Sequence, residues 1–399
     1  MTHQPLGTDG DPHAPRDETA GTKGPLDGIR VVEIASLAPA PFGCMMLADL
    51  GAEVIRVDRL GSSAAITPPS GPLDRGRSTV AVNLKTAEGV RAVHRLAAGA
   101  DVFVEGFRPG VAERLGVGPE ALTEVNPGLV YARMTGWGQD GPLRDRAGHD
   151  INYLALAGLL EPLARNGERP SAPMNLLADF AGGGMVMALG IVSALVERQQ
   201  SGRGQVVDAA MVDGTSLYSA FLRGMHAHGM WNEDPGTNML DGAAPFYDTY
   251  RCADDRFVAV GCVEPQFFAE LVSTLGIDAR GLPEQHDPAG WDDWRRLLEG
   301  TFAGRTRDEW AEQFADSDAC VTPVLSPWEA PEHPHHQARG SFVELGGVVQ
   351  PTPAPRFSRS TPATPVAADA CGRDVAQTLR RWGFSEPETA LLVGSGTVA

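Results

Sequence analysis

Cysteine is scarce in this 399-residue chain: five residues, at 44, 252, 262, 320 and 371, odd in number and widely spaced. No C-x-x-C pair and no H-E-x-x-H occurs, so a disulfide framework and a zinc site both lack their spacing, and a cytoplasmic, reducing setting is expected. Positive charge is also short, 33 Lys and Arg against 51 Asp and Glu for a net −18. A general binder of nucleic acid or of an anionic membrane needs a basic surface, so both partners are excluded. Any anionic ligand must be held by a few locally placed cations. No run approaches about 18 consecutive apolar residues, so no membrane span is expected. The amino terminus lacks a basic-then-apolar leader, and the ending Ser395-Gly396-Thr397-Val398-Ala399 is no peroxisomal address. Glycine (47) and proline (31) are plentiful but show no period, which excludes collagen and solenoids.

What is present is an ordinary globular composition, 42% hydrophobic and 21% charged, long enough for two or three domains. Residues 1–24 are polar and read as a disordered arm. A β-branched run at 29–35 predicts a buried strand, Pro39-Ala40-Pro41 opens a helix to Leu50 with Gly51 as its cap, and 54–57 predicts a second strand. Alternation continues: strand 80–84, helix 87–97, strand 102–105, short helix 111–115, strand 129–134. Such alternation implies a largely parallel sheet covered on both faces. Helices follow at about 150–160, 180–199 and 209–230, then a long connection over 231–250. A second domain begins near 240, with strands at 257–261 and 321–325 and helices after Pro265 and near 291–299 and 306–315. The tail from 350 reads as extended, with a last helix near 375–382.

The first strand–turn–helix invites a dinucleotide site, with Asp58 where a ribose-binding acid would lie. The turn reads Ala35-Ser36-Leu37-Ala38-Pro39-Ala40-Pro41. It has no glycine to let the backbone approach a pyrophosphate, and two prolines remove amide donors, so that reading fails.

A few polar residues stand out from apolar or glycine-rich surroundings. His149 precedes a predicted helix in Gly148-His149-Asp150-Ile151-Asn152-Tyr153. Either Asp150 caps that helix beside a solvated histidine, or an imidazole next to free helix-start amides is a general base beside an oxyanion site. Asp179 lies between Leu176-Leu177-Ala178 and Phe180, with Gly182, Gly183 and Gly184 beyond. It is either a helix cap or a desolvated base with a raised pKa. Glu264, before Pro265, is either a helix-start acid or the partner that orients His149 across domains. Arg56, Arg59, Arg75, Arg77, Lys85 and Arg114 are candidate phosphate contacts or surface charges. His333-Pro334-His335-His336 reads as a solvated loop rather than a metal site. Met185, Met187, Met211 and Met225 read as core that could also line a forgiving acyl groove.

With these residues in hand, the chain resembles the α-methylacyl-CoA racemases of the family III CoA-transferase (CaiB/BaiF) superfamily from about 25 to 385. The blocks that carry the likeness are Leu47-Ala48-Asp49-Leu50-Gly51-Ala52, 148–153, 175–184, Gly204-Gln205-Val206-Val207-Asp208-Ala209, Asn238-Met239-Leu240-Asp241-Gly242, Glu264-Pro265-Gln266-Phe267 and 318–324. The resemblance implies His149 and Asp179 as two catalytic bases and Glu264 as the histidine's hydrogen-bonding partner. It implies CoA and thioester contacts at Arg59, at Ala81, Val82, Asn83 and Leu84 (mostly through backbone), and at Gly148, Asp150, Ile151, Asn152 and Tyr153. Arg114 is implied as a further phosphate contact. The implied fold is α/β: a Rossmann-like large domain from 25–230 and a returning 346–399 segment, plus a smaller α+β domain in 231–345. Two subunits are implied to interlink as a homodimer. The implied reaction interconverts 2R and 2S 2-methylacyl-CoA thioesters, branched fatty, sterol-derived or aryl-propionyl, with no metal or cofactor beyond the CoA of the substrate. The alternatives are a CoA-transferase with Asp179 as nucleophile and a catalytically silent CoA-binding protein. Transferases of this group carry a glycine-rich loop where this chain reads Gly261-Cys262-Val263-Glu264-Pro265.

Overall fold

β-branched runs bounded by proline and glycine set the order of elements in the protein, analysed as a computed structural model that describes residues 23–60, 71–362, 365–368 and 374–399. All but the last two residues of the expected amino-terminal arm, and Cys371, lie outside those residues. Strand β1 (Arg30–Ile34) leads through helix α1 (Pro39–Asp49) to β2 (Glu53–Arg59) and β3 (Arg77–Val82). Helix α2 (Ala87–Ala98), β4 (Val102–Glu105), α3 (Val111–Arg114), α4 (Pro119–Val125) and β5 (Val130–Thr135) follow. Next come α5 (Asp150–Leu156), a π-wound segment (Leu176–Met185), α6 (Val186–Ser201), β6 (Val206–Ala210), α7 (Met211–Ser216) and α8 (Ser219–Ala227). These strands form one parallel sheet of order β3-β2-β1-β4-β5-β6.

The strand period of two sorts side chains into two layers. Val32, Ile55, Phe103 and Tyr131 face α2 and α4, while Val31, Val54, Val102 and Val130 face α1 and α6. Leu379, Trp382, Phe384 and Val398, from the far end of the chain, complete the first layer. The continuous helical run Leu176–Ser201 is long and apolar enough to cross a membrane by length and composition. In the fold its Met187, Ile191 and Leu195 pack against the sheet.

A second, antiparallel sheet joins β7 (Tyr247–Arg251), β8 (Phe257–Gly261) and β9 (Val321–Pro323) in that order. Helices α9 (Pro265–Thr274), α10 (Trp291–Phe302) and α11 (Arg307–Gln313) cover it around Phe246, Tyr250, Phe268, Trp294, Phe302 and Trp310. Helix α12 (Pro334–Arg339), the hairpin β10 (Phe342–Leu345) and β11 (Val348–Pro351), α13 (Val375–Arg381) and α14 (Glu386–Gly394) close the chain.

Several expectations need correcting. The third strand starts at Arg77 rather than 80: Arg77, Ser78 and Thr79 pair with Val54, Ile55 and Arg56 of β2, and the ion pair to Glu33 lets a charged residue lie buried there. Val206–Ala210 is a strand, and the single helix expected over 209–230 is broken into α7 and α8. The hairpin after α12 and helix α14 were not expected; the Pro-rich composition of the tail hid both.

Three predicted phosphate contacts are structural instead. Arg75 grips Asp49 at 2.5 Å and Gln350 at 3.0 Å, with its side chain only 2% exposed. Arg77 and Glu33 form an ion pair with both side chains fully buried. Arg56 pairs with Asp74 at 2.5 Å and Asp58 at 3.4 Å. Removing one half of a buried pair strands the other charge. Arg77→Leu should therefore lower stability by about 3–5 kcal/mol, read by urea unfolding; a loss within ordinary surface scatter would contradict this role.

Candidate active site

Strand order reverses between β1 and β4, and at that switch point the loops leaving the two strands part and open a crevice beyond their carboxyl ends. One cleft of about 440 Å³ lies there, bounded by Ser36–Pro39 after β1, Gly106–Pro109 after β4 and Thr135–Trp137 at the end of β5. A second, of about 580 Å³, lies over the ends of β2 and β3. Ala35 and Phe107 line both, so the two adjoin.

Gly148, His149, Tyr153 and Asp179 line the first cleft. His149 is the residue before α5 and is solvent-exposed, with its backbone N–H donating to Asn152 Oδ1 at 3.1 Å. Tyr153 donates its hydroxyl to the Gly148 carbonyl and meets the edge of Trp137 at 4.7 Å. Burial pushes the Tyr153 phenol up to about 12, so it stays a neutral hydrogen-bonding group. Ile151 and Asn152 are on the exposed side of α5 and do not line the cleft.

Asp179 sits in the first turn of the π-wound segment, a winding that recurs at functional sites. It caps nothing. Asp150 does the capping, but for that segment and not for its own helix: Asp150 Oδ2 accepts from Ala178 N–H at 2.7 Å and Asp179 N–H at 2.8 Å. Burial raises the Asp179 pKa above the ordinary carboxylate value and the nearby Asp150 adds to this; Asn175 and His149 draw it partly back.

The glycines after Asp179 serve helix packing. A Cβ on Gly184 would lie 2.5 Å from the Pro39 carbonyl, and one on Gly182 would lie 2.4 Å from Thr215 Oγ1. Only glycine lets α1 and α7 approach the π-wound segment this closely. In the β1–α1 turn, Ala38 takes a left-handed φ of 32°. Proline at 39 and 41 leaves the first turn of α1 with few free amides.

Arg59, Val82, Asn83 and Leu84 line the second cleft, but Ala81 does not. The expected backbone contacts there are mostly taken. Ala81 N–H donates to Ala399 O at 2.7 Å and Ala81 O accepts from Ala399 N–H at 2.9 Å. Asn83 N–H donates to Thr397 O at 3.1 Å, and Asn83 O accepts from Thr86. Arg114 lines neither cleft; it lies over the Gly110 turn beside Glu113. Glu264 does not meet His149 within the chain. It precedes α9, where its charge acts on Cys262 and Cys320.

Sequence reasoning missed Arg108, Arg144, Arg146 and Trp137, all of which line the first cleft. The available signal was position: Arg108 follows the carboxyl end of a central parallel strand, and Arg144 and Arg146 flank the loop before Gly148. Among the described residues, the guanidinium groups of Arg59, Arg108 and Arg146 have no hydrogen-bonded or ion-paired partner, whereas many other arginines are paired. Ser36 Oγ and Trp137 Nε1 are buried without partners beside the same cleft. Free cations in a strongly acidic chain fit an anionic ligand, and an imidazole and a carboxyl on one cleft fit proton transfer.

The model of the CoA-transferase family III matches residues 26–374. Alpha-methylacyl-CoA racemase of Mus musculus is 49% identical over 366 residues, covering 91% of this chain and 94% of the mouse protein. The human racemase is 46% identical over the same share of each. Among solved structures, a CAIB/BAIF family protein from Brucella suis superposes with a TM-score of 0.79 at 26% identity, over 90% of this chain and 100% of that one.

The free arginines carry a direct expectation. Arg59→Ala and Arg108→Ala should each weaken binding of CoA by about 1.5–3 kcal/mol, the range for hydrogen bonds to charged groups. Titration calorimetry measures this, and an unchanged Kd would remove that arginine from the ligand site.

Proposed function

The chain belongs to the CoA-transferase family III, and we propose that within it the protein is a racemase that interconverts the 2R and 2S epimers of 2-methylacyl-CoA thioesters. The observation that carries the reading is that His149 and Asp179, two unlike acid–base groups, line one cleft at the switch point of the sheet. The thioester carbonyl makes the α-proton weakly acidic. One base takes that proton, the C–H electron pair moves into an enolate, and the conjugate acid of the other base returns a proton to the opposite face. The centre is inverted, and CoA stays bonded to the acyl group. The step balances without oxidant, metal or cofactor beyond the CoA of the substrate.

Each remaining part has a physical role. A raised pKa makes Asp179 a stronger base than an ordinary carboxylate and lets it hold a proton when it must act as an acid. The backbone N–H of Asp150 opens α5, where a helix leaves its amides without an intrahelical partner, and is the donor we assign to the enolate oxygen. One such donor is typically worth about 10²–10³ in rate. Arg59 and Arg108 take phosphates, and the second cleft takes the nucleotide end of CoA. Met211 and Met185, one in the cleft and one half-exposed, suit an apolar acyl chain.

Glu264 reaches His149 only if a second copy supplies it, so we propose an interlinked homodimer with the large domain of 25–230 and 346–399 facing the partner's small domain of 231–345. Support comes from Met174, Leu189, Leu217, Phe221 and Met230, all more than half exposed on and beside the helices after the cleft. A cytoplasmic setting belongs to the same proposal, on the four unpaired cysteines among the described residues.

The test is incubation of one pure epimer of a 2-methylacyl-CoA in deuterium oxide with no acyl acceptor. The expected result is a mixture of epimers carrying deuterium at the α-carbon, with CoA neither released nor moved. Transfer of CoA to an added carboxylic acid without deuterium uptake would establish the transferase alternative.

A further inference from the structure

We infer that the buried carboxylate of Asp150 is a positioning residue for both bases, fixing Asp179 relative to His149 and setting the electrostatic environment of Asp179. The inference rests on the racemase reading and deepens it. Asp150 directly follows His149 in the chain, and its Oδ2 holds the amides of Ala178 and Asp179. Those amides lie in the opening turn of the π-wound segment, where helices leave donors unpaired. The backbones of the two bases are thus linked by one peptide bond and one hydrogen-bonded carboxylate, a path too short to let the bases drift apart. Helix α5 does not take this carboxylate as its cap: the Asp150 carboxylate is turned to the other segment, and Asn152 answers the amide of His149, the residue before the helix.

The other oxygen of Asp150 makes the case for a role beyond capping. Asp150 is 4% exposed, and its Oδ1 is buried with no partner among the described residues. An unmet buried carboxylate oxygen costs stability; an asparagine would cap the same two amides through its oxygen and leave its NH2 unmet in the same place, so what sets the aspartate apart is its charge. What the extra charge does is act on Asp179. From α5 and the residue before it, Asp150, His149 and Tyr153 face that carboxyl; from its own segment, Asn175 does; Arg108, after β4, acts on Tyr153. Burial and the Asp150 charge favour the protonated Asp179, and Asn175 and His149 oppose them. A proton on Asp179 relieves the crowding of two carboxylates, and that proton is the one the enzyme must give back to the enolate.

The experiment compares the parent with Asp150→Asn and Asp150→Ala as full-length proteins. Each pure epimer is followed in deuterium oxide for exchange and inversion, with kcat and KM across pH. Carbon-13 NMR follows the Asp179 carboxyl, assigned by its loss in Asp179→Asn. Asp150→Asn should fold and keep KM near the parent's while kcat falls about tenfold or more, within the span of general acid–base effects. Its acid limb and the Asp179 carboxyl titration should both move to lower pH. The epimer facing His149 should exchange its α-proton without inversion more often than in the parent; the other epimer should exchange more slowly. Asp150→Ala should lose more, and if it fails to fold the asparagine variant decides alone. A folded Asp150→Asn with an unmoved Asp179 titration overturns the proposal. So does an equal loss of exchange in both epimers, which is the mark of general damage. Failure of the parent to racemise would overturn the functional reading instead, and the NMR titration would still judge Asp150.

Discussion

The close crossing of backbones at Gly182–Gly184 is the constraint on which the cleft depends. With no side chain at Gly184, the π-wound segment lies against the Pro39 carbonyl and the start of α1; with none at Gly182, it lies against Thr215 on α7. Any Cβ there would push the segment away from the sheet, and Asp179, one turn earlier, would leave the crevice. Close packing passes such shifts on rather than absorbing them. The switch point supplies the crevice, and the glycine crossing brings a carboxyl to the same cleft that His149 lines.

Charge is arranged by the same economy. In a chain with a net charge of −18, arginines under the sheet are neutralised by Asp49, Glu33 and Asp74. Arg133 is likewise held by Glu105 and Glu113, which ties β5 to the end of β4 and to α3. Burial lifts Glu105 to about 7, even though it accepts from Phe107 N–H at 2.7 Å. Arg59, Arg108 and Arg146 stand outside these pairs and line the clefts, where their charge is available to an anionic ligand. A protein acidic overall can thereby bind an anion at one place and repel anions elsewhere.

The parallel sheet was legible because its central strands are continuous apolar runs: 102–105 was read to the residue, and 29–35 within one. The edge strand Val206–Ala210 was not, since its first three residues are partly or largely exposed and polar Asp208 interrupts them. The hairpin at 342–351 carried a signal, Gly346-Gly347 between Phe342-Val343-Glu344-Leu345 and Val348-Val349, with both glycines at positive φ. The proline content around it outweighed that pair. At the site, His149 and Asp179 were visible as polar residues in apolar or glycine-rich surroundings. Arg75 and Arg77 looked like ligands because sequence gives charge and not burial. That Asp150 caps a segment 28 residues away was out of reach of any local pattern. So was the consumption of the Ala81 and Asn83 amides by residues 397–399, a pairing of the end of β3 with residues more than 300 positions away.

The account stands on two unlike bases acting on opposite faces of one carbon. Deuterium uptake into each pure epimer by folded Asp179→Asn and His149→Ala tests it most directly, with circular dichroism confirming the fold. The account predicts that neither variant racemises at an appreciable rate, and that each retains slow exchange into one epimer only, the opposite one for each variant. Racemisation near the parent rate by either variant, or residual exchange into the same epimer in both, would contradict it.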